Sequence, residues 1–282
     1  MIAACFRAMG TTVAVTTGAE AGIEATRRLF AEVEATLSRF LPNSELSRVN
    51  ASISSPITVG PMFAEVLAIA SDLRLRTGGL VDVGVGADVV SWGYDRSFAA
   101  MPAAISSAPT PMPAGWWAID GDLLTLSPGT AIDLGGVAKG WTCDLAVDRH
   151  LALLVSAGGD VRSALSEATV DILDPAGDRV ARVSLGRGAL ATSSTARRRW
   201  KAGDVDAHHL IDPRTGRPAQ SPVVSATAIA ATAVEAEAGA KAILIRGAHG
   251  LAWADEQPWI RGAIVVWDDG AVYGTVDVEL AA

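Results

Sequence analysis

The spacing of apolar residues changes near residue 18, and this change constrains how the fold begins. Residues 11–17 (TTVAVTT) alternate as a β-strand with one buried face does. Over residues 19–40 the apolar side chains recur at helical spacing, at Ile23, Leu29, Phe30, Val33, Leu37 and Phe40. The chain therefore begins with a strand followed by an amphipathic helix.

Helix and strand patterns follow one another irregularly after this start. Helical spacing recurs at 61–79, which has Pro61 near its first turn and glycine at its end, at 137–152, and in the Ala-rich segment 232–247. Strand patterns occupy 116–126, 151–157, 169–174, 179–185, 189–194, 223–231, 262–270 and 271–280. The first of these is a hairpin that turns at Asp120-Gly121 or Gly121-Asp122. Without regular βαβ alternation, the pattern predicts an α+β fold.

Charge and cysteine content exclude several classes of protein. The formal charge is −8 and the longest basic block is ARRRWK at 196–201, which argues against nucleic acid as the main ligand. No apolar run approaches the roughly 20 residues of a membrane helix, and the N-terminus lacks the basic and apolar regions of a signal peptide. Cys5 and Cys143 form no C-x-x-C pattern. We expect a cytoplasmic protein that does not bind membranes.

The segment AIDLGGVAKG at 131–140 brings a strand into a double glycine directly before a helix. Glycines let a ligand approach the backbone, and the N–H groups at a helix start bind anions. Lys139 adds a positive charge in the first turn, where a cation opposes the helix dipole and therefore needs a reason. The alternative, a glycine turn with a solvent-facing lysine, stays open. The segment does not have the Walker A pattern.

Three further segments combine turns with polar groups. SAGGD at 156–160 ends a strand with Asp160, and ATSSTARRRW at 191–200 places four hydroxyls before three arginines, a combination that suits phosphate oxygens. HHLIDPRTGRP at 208–218 carries two adjacent histidines, of which at most one reaches a pocket if they lie in a strand. Each segment has a plainer alternative. SAGGD could be a simple turn, ATSSTARRRW a solvated basic loop, and the histidine of HHLIDPRTGRP could bind only the backbone of its turn.

Taken in order, these segments resemble motifs of the ApbE family of FAD:protein FMN transferases over nearly the whole chain. The resembling segments are LSRFLPNSELSRVN at 37–50, DLGGVAKG at 133–140, SAGGD at 156–160, ALATSSTARRRW at 189–200 and HHLIDPRTGRP at 208–218. The resemblance implies one T-fold-like α+β domain over residues 1–282, with two lobes and FAD in the cleft between them. It also implies transfer of FMN from FAD to a threonine of a partner flavoprotein, with release of AMP and help from a divalent cation, usually magnesium.

The resemblance assigns roles to individual residues. His209 is the expected base that activates the acceptor threonine, and Lys139 is the second catalytic residue. The expected FAD-binding residues are Asp133, Gly135, Gly136, Val137, Lys139, Asp160, Thr192, Ser193, Ser194, Arg198 and Asp212. The family has an aromatic residue before the W-G-[FY] motif, and Val81 stands at that position here. Trp92 or Tyr94 could compensate for the missing ring, unless they are core residues.

The largest departure from the family lies in TAVEAEAGAKAIL, residues 232–244. The family's T-x-x-x-A-D-x-x-[AS]-T pattern ligates the metal through an Asp and a Thr one turn apart, and here Glu237 and Lys241 stand at these positions. The resemblance implies Glu237 of this segment and Ala138 of DLGGVAKG as the metal ligands. Glutamate can bind magnesium, but an ammonium has no lone pair. Shifting the alignment to Glu235 does not help, because Gly239 follows four residues later.

Two interpretations of Lys241 follow. Its ammonium replaces part of the metal's charge beside the pyrophosphate, or it pairs with Glu237, which contributes roughly 0.2–0.5 kcal/mol if exposed. The alternatives to a transferase with altered metal dependence are an FAD-binding or sequestering protein and an FAD pyrophosphatase. A dinucleotide oxidoreductase is disfavoured, because no strand-G-x-G-x-x-G-helix unit is present.

Overall fold

The computed structural model describes residues 1–52 and 55–275. Its strands are β1 Ile2–Ala8, β2 Thr11–Thr17, β3 Ile57–Thr58, β4 Ala104–Ile105, β5 Trp117–Asp120, β6 Leu123–Leu126, β7 Leu154–Ala157, β8 Asp160–Ser163, β9 Thr169–Leu173, β10 Arg179–Ser184, β11 Gly188–Ser194, β12 Arg199–Ala202, β13 Val205–His208, β14 Ile211–Asp212, β15 Arg217–Pro218, β16 Val223–Ala230, β17 Ile260–Trp267 and β18 Val272–Gly274. Its α-helices are α1 Glu20–Leu37, α2 Glu45–Ala51, α3 Pro61–Arg76, α4 Gly86–Ser91, α5 Ala138–Asp148, α6 Ala233–Arg246 and α7 Gly250–Asp255.

The residues fall into two compact units, each assembled from segments that are distant in sequence. The first unit comprises Met1–Ala31, Lys139–Arg197 and the described part of Gln220–Ala282, and the second comprises Glu32–Ala138 and Arg198–Ala219. That the whole chain forms one domain stays a prediction.

An eight-stranded sheet organises the first unit. Its strand order is β1-β2-β7-β8-β11-β16-β17-β18, and every neighbouring pair is antiparallel. Helix α6 packs on this sheet, with contacts to β8, β11, β16 and β17. Small side chains allow this close packing, because the alanines of α6 and of β16 are buried. The sheet and α6 therefore fix the positions of the polar residues of the first unit, among them Asp160 and Glu237.

The second unit contains short strands around an aromatic core. Strands β13, β12 and β4 form one sheet, β3, β6 and β5 a second, and β14 with β15 a third. Trp92, Tyr94 and Trp200 lie in a buried cluster with Val89 and Ile211. These three aromatic rings stabilise the unit by removing a large apolar area from water.

The α+β prediction is confirmed, and most predicted elements are present with shifted ends. The hairpin at 116–126 turns at Gly121-Asp122, one of the two predicted turns. The last strand pattern, 271–280, is present as β18 over Val272–Gly274, and its residues from 276 onward lie outside the described residues. No described helix is long and apolar enough to cross a membrane.

Candidate functional site

Three side chains of the first unit hold the start of helix α6. Thr232 and Glu235 form a capping box, in which the Thr232 hydroxyl accepts from the Glu235 amide (3.4 Å) and the Glu235 carboxylate accepts from the Thr232 amide (3.2 Å). Asp144 on α5 accepts two more amides, from Ala233 (2.7 Å) and Val234 (3.1 Å). These caps fix where α6 begins and therefore where its later side chains lie.

Glu237, on the second turn of α6, lies between two lysines. Its Oε1 is 3.0 Å from Nζ of Lys241, one turn further along α6, and 3.1 Å from Nζ of Lys139 on α5. Lys139 Nζ also lies 3.2 Å from Asp160 Oδ2 at the start of β8. We call Lys139, Asp160, Glu237 and Lys241 the buried charge cluster. The two carboxylates compensate the unfavourable position of Lys139 in the first turn of a helix.

The cluster is shielded from water, which strengthens its internal interactions. The side chains of the two carboxylates are 4% and 6% exposed, and those of the two lysines 12% and 15%. At this depth the Glu237–Lys241 pair is not an exposed surface pair, and loss of either partner would leave a buried charge. Of the two interpretations of Lys241, the pairing with Glu237 is present, and because the pair is buried the small energy expected of an exposed pair does not apply.

Burial and pairing act differently on the two carboxyl groups. Burial, together with the nearby charge of Glu237, raises the pKa of Asp160 to about 6, because the attraction of the lysines offsets these effects only in part. Burial also opposes ionisation of Glu237, but the attraction of Lys139 and Lys241 outweighs it and lowers the pKa of that carboxyl. Burial raises the pKa of the neighbouring Cys143 thiol, which therefore offers no thiolate nucleophile at neutral pH.

A two-glycine turn sets the position of Asp160. Gly158 and Gly159 connect β7 to β8 with φ values of +67° and +117°, which side chains with a Cβ rarely adopt. The Gly159 carbonyl accepts from the amide of Thr192 (3.2 Å), whose hydroxyl is 2.8 Å from that of Thr227 on β16. The turn thus brings the end of β11 beside Asp160.

The other predicted residues of β11 and the loop after it are placed differently. Ser193 is buried, and its side chain faces away from that of Thr192 because strand side chains alternate. Ser194 donates to the Val224 carbonyl (2.9 Å), so its hydroxyl stabilises the end of its own sheet. Arg198 is half-buried directly before β12 in the second unit.

The residues around Glu237 do not fit a magnesium ion. Magnesium requires about six oxygen ligands in octahedral geometry. Both lysines contact Glu237 Oε1, so an ion bound to this carboxylate would face two ammonium groups. Over residues 1–52 and 55–275 there is no group of three His, Cys, Asp or Glu side chains that could hold a metal. Glu235, the other carboxylate of α6, serves in the capping box.

In the second unit, the DLGG turn is held by its own aspartate. The Asp133 Oδ1 accepts from the Gly135 amide (2.7 Å), and the Asp133 amide donates to the Val83 carbonyl (2.7 Å). Asp133 Oδ2 is 2.7 Å from Nε of Arg39. Gly136 follows half-buried, and Val137 and Ala138 are buried at the start of α5. Asp133 therefore shapes this turn and is paired with an arginine.

The two histidines have different environments, and only His208 lies in a strand, at the end of β13. The buried His208 bonds to the Ala219 carbonyl through Nε2 (2.9 Å) and accepts from the Leu210 amide through Nδ1 (3.3 Å). Burial lowers the pKa of His208, which is therefore neutral at pH 7 and structural. His209 is half-buried just after β13.

Asp212 is engaged by its own turn. Its carboxylate forms two parallel contacts with the Arg214 guanidinium, Oδ1 to Nε at 2.9 Å and Oδ2 to Nη2 at 2.7 Å. Its carbonyl accepts from the amide of Gly216 (2.9 Å). In the second unit Asp212 thus stabilises the D-P-R-T-G turn.

The aromatic residues considered as replacements at position 81 belong to the core. Val81 and Trp92 are buried, and the Trp92 indole donates to the Gly216 carbonyl (2.7 Å). The Trp200 indole donates to the Trp92 carbonyl (2.7 Å), and the ring of Tyr94 lies 5.8 Å from that of Trp200. Trp92 is therefore a packing residue.

Sequence reasoning missed Asp144, which caps α6, and Arg39, which pairs with Asp133. Asp144 is 89 residues from Ala233, whose amide it accepts, so no local pattern indicates the contact. Arg39 lies within the segment LSRFLPNSELSRVN, and its position in that motif was the available signal.

Comparisons with known proteins agree with these motifs. Residues 9–264 match the model of the ApbE family. Two relatives named FAD:protein FMN transferase are 30% identical: one from Rhodobacter capsulatus over 263 residues, 83% of this chain and 48% of that protein, and one from Vibrio cholerae over 278 residues, 86% of this chain and 79% of that protein. The chain thus spans about half the length of the Rhodobacter capsulatus protein. A solved structure, the flavin transferase ApbE from Vibrio cholerae, has a TM-score of 0.80 at 26% identity and covers 98% of this chain and 97% of its own.

Proposed function

The chain belongs to the ApbE family, and from this premise we propose that it is an FAD:protein FMN transferase. It transfers FMN from FAD to a threonine hydroxyl of a partner flavoprotein and releases AMP. We place it in the cytoplasm as part of the same proposal, because Cys5 and Cys143 form no disulfide.

The buried charge cluster carries this proposal. Phosphoryl transfer depends on positioned positive charge more than on covalent participation of the enzyme. Lys139 on α5 and Lys241 on the capped helix α6 hold two ammonium groups in a shielded site. An ammonium has three N–H donors with which to bind carboxylate and phosphate oxygens together. The Thr192 amide donates to the carbonyl of Gly159, in the turn that directly precedes Asp160.

The remaining assignments follow the family motifs. The residues assigned to FAD binding are Asp133, Gly135, Gly136, Val137, Lys139, Asp160, Thr192, Ser193, Ser194, Arg198 and Asp212. Asp212 and Ser194 act by shaping their loops, because their polar atoms already bind protein groups. His209 takes the proton from the acceptor threonine, since the pKa of its neighbour His208 is lowered by burial and both His208 ring nitrogens are bonded.

Metal dependence is where we expect this protein to differ from its relatives. Ala138 and Glu237 were the expected metal ligands, and Lys241 stands at the position of the missing one. Because the residues around Glu237 do not fit magnesium, we propose that the ammonium groups of Lys139 and Lys241 donate hydrogen bonds to the pyrophosphate oxygens in place of a metal. Transfer then proceeds without added divalent cation.

Incubation of the purified protein with FAD and an acceptor protein that carries a threonine flavinylation site tests this proposal. The matched control is the same acceptor with that threonine replaced by valine. Flavin attached covalently to the first acceptor and not to the second supports transfer. Free FMN and AMP regardless of acceptor would indicate an FAD pyrophosphatase, and intact bound FAD would indicate a protein that binds or sequesters FAD.

A further inference from the structure

Arg39 has one guanidinium nitrogen that is unpaired in the part of the chain that the structure describes. Its Nε is 2.7 Å from Asp133 Oδ2, and its Nη1 donates to the Tyr94 carbonyl (2.5 Å). Within residues 1–52 and 55–275 its buried Nη2 has no hydrogen-bond partner, and the whole side chain is only 9% exposed. Buried donors are normally paired, so an unpaired one in a well-anchored side chain points to a partner that binds from outside the chain.

Two aromatic rings hold the Arg39 guanidinium in place. Its Cζ lies 4.1 Å from the centroid of the Phe40 ring and 4.6 Å from that of Tyr94. Tyr94 is fixed in the core of the second unit, whereas Phe40 is 39% exposed. Phe40 is therefore the ring on the solvent side of the guanidinium, and the proposal below requires that a ligand displace this ring to reach Nη2.

The charge balance at Arg39 selects the kind of acceptor. Asp133 already neutralises the guanidinium, so a phosphate bound at Nη2 would lie close to a carboxylate of the same sign. A carbonyl oxygen on a flat ring carries no net charge and can accept from Nη2 while the ring takes the place of Phe40 against the guanidinium.

We propose that Arg39 is a positioning residue that donates from Nη2 to a carbonyl oxygen of the flavin ring. This inference rests on the proposed function, which supplies FAD as the ligand. It adds to the site a residue whose carboxylate partner, Asp133, lies in the DLGG turn.

Arg74 offers a matched control in the same unit. Its Nε is 2.8 Å from Asp82 Oδ2, its Nη1 lies 3.5 Å from the Trp117 carbonyl, and its Cζ lies 5.7 Å from the centroid of the Trp117 ring. The Arg74 side chain is 33% exposed, so water can satisfy its remaining donor. The same Arg→Lys substitution at the two positions thus separates loss of the buried donor from loss of an arginine–aspartate pair.

The test compares binding of FAD and of ADP, which has the pyrophosphate but not the flavin, to the wild-type protein, Arg39→Lys and Arg74→Lys. We expect Arg39→Lys to bind FAD about 10- to 100-fold more weakly and ADP unchanged, because a hydrogen bond from a charged donor is lost. Arg74→Lys should change neither affinity. Unchanged FAD affinity in Arg39→Lys, or an equal loss for FAD and ADP, overturns the inference.

A spectroscopic readout needs no variant. In isotope-edited infrared spectra, FAD with ¹³C-labelled ring carbonyls should show a carbonyl stretching frequency below that of flavin in an aprotic solvent when it is bound to the wild-type protein. A frequency equal to that of flavin in an aprotic solvent overturns the inference. If the wild-type protein binds no FAD at all, the proposed function fails, whereas normal FAD binding and transfer with a normal carbonyl frequency refute the role of Arg39 alone.

Discussion

Glu237 and Lys241 form a buried ion pair one turn apart on helix α6, with 3.0 Å between Oε1 and Nζ. The same oxygen lies 3.1 Å from Lys139 Nζ, so one carboxylate neutralises parts of two ammonium groups. The resemblance to the family implies a metal beside Glu237, and in the structure the ammonium group of Lys241 lies there.

Replacing Lys241 by methionine should destabilise the protein measurably. Lys241→Met leaves the buried Glu237 with one partner, and we expect the free energy of unfolding in urea to fall by about 1–3 kcal/mol. The matched control is Lys201→Met, since Lys201 pairs with Asp206 at the surface with both side chains more than half exposed. That substitution should cost less than about 1 kcal/mol. Equal losses in the two variants would show that burial of the cluster has no energetic effect.

Substitution of the two adjacent histidines should affect different properties, flavin transfer at His209 and stability at His208. His209→Gln should abolish flavin transfer while FAD binding and thermal stability stay near wild type, because it removes the proposed base. His208→Ala should lower the free energy of unfolding by about 2 kcal/mol, because it breaks the bonds to Ala219 and Leu210 and leaves a cavity. A His209→Gln variant with normal transfer would exclude this residue as the base.

Asp144 should matter more for stability than an aspartate with the same local contacts. Asp144→Ala removes the acceptor of two α6 amides and the ion pair with Arg162 (3.1 Å), and we expect a loss of about 2–4 kcal/mol. Asp174 also accepts two amides, from Gly177 and Asp178, but in an exposed turn. Asp174→Ala should cost no more than about 1 kcal/mol. Similar values for both would argue against Asp144 as the anchor of α6.

The raised pKa of Asp160 predicts a pH dependence of stability. The folded-state pKa of about 6 exceeds the usual carboxyl value of about 3.9, so the folded state binds this proton more tightly than the unfolded state. The stabilisation is fully present below about pH 4 and is lost as the pH rises through 6. The unfolding free energy of the wild type should therefore fall relative to that of Asp160→Asn between about pH 4 and pH 7. A rise relative to Asp160→Asn over this range would contradict the assignment.

Local sequence patterns predicted the elements that carry the site. The double glycines at 135–136 and 158–159 marked the turns next to Asp133 and Asp160. At Gly158 and Gly159 the reason is the positive φ, which residues with a Cβ rarely adopt. The helix starting near residue 137 and the helix over 232–247 were evident from apolar spacing, and the structure begins them at Ala138 and Ala233.

Contacts between distant segments could not be predicted in this way. Lys139 and Glu237 are 98 residues apart, and only the folded sheet brings them within 3.1 Å. The same limit applies to the burial of Lys241, which a helical i,i+4 pattern alone assigns to the surface. Asp212 illustrates another limit, because a motif identifies the residue but not that Arg214 occupies its carboxylate.

The metal requirement of flavin transfer tests the central claim most directly. Transfer to the threonine acceptor is measured with EDTA and with magnesium, for the wild type and for the Glu237→Asp, Lys241→Thr double variant. If Lys241 stands in for the metal, the wild-type rate is the same in EDTA and in magnesium, whereas the double variant is inactive in EDTA and gains activity with magnesium. Wild-type transfer that EDTA abolishes and magnesium restores would contradict the account.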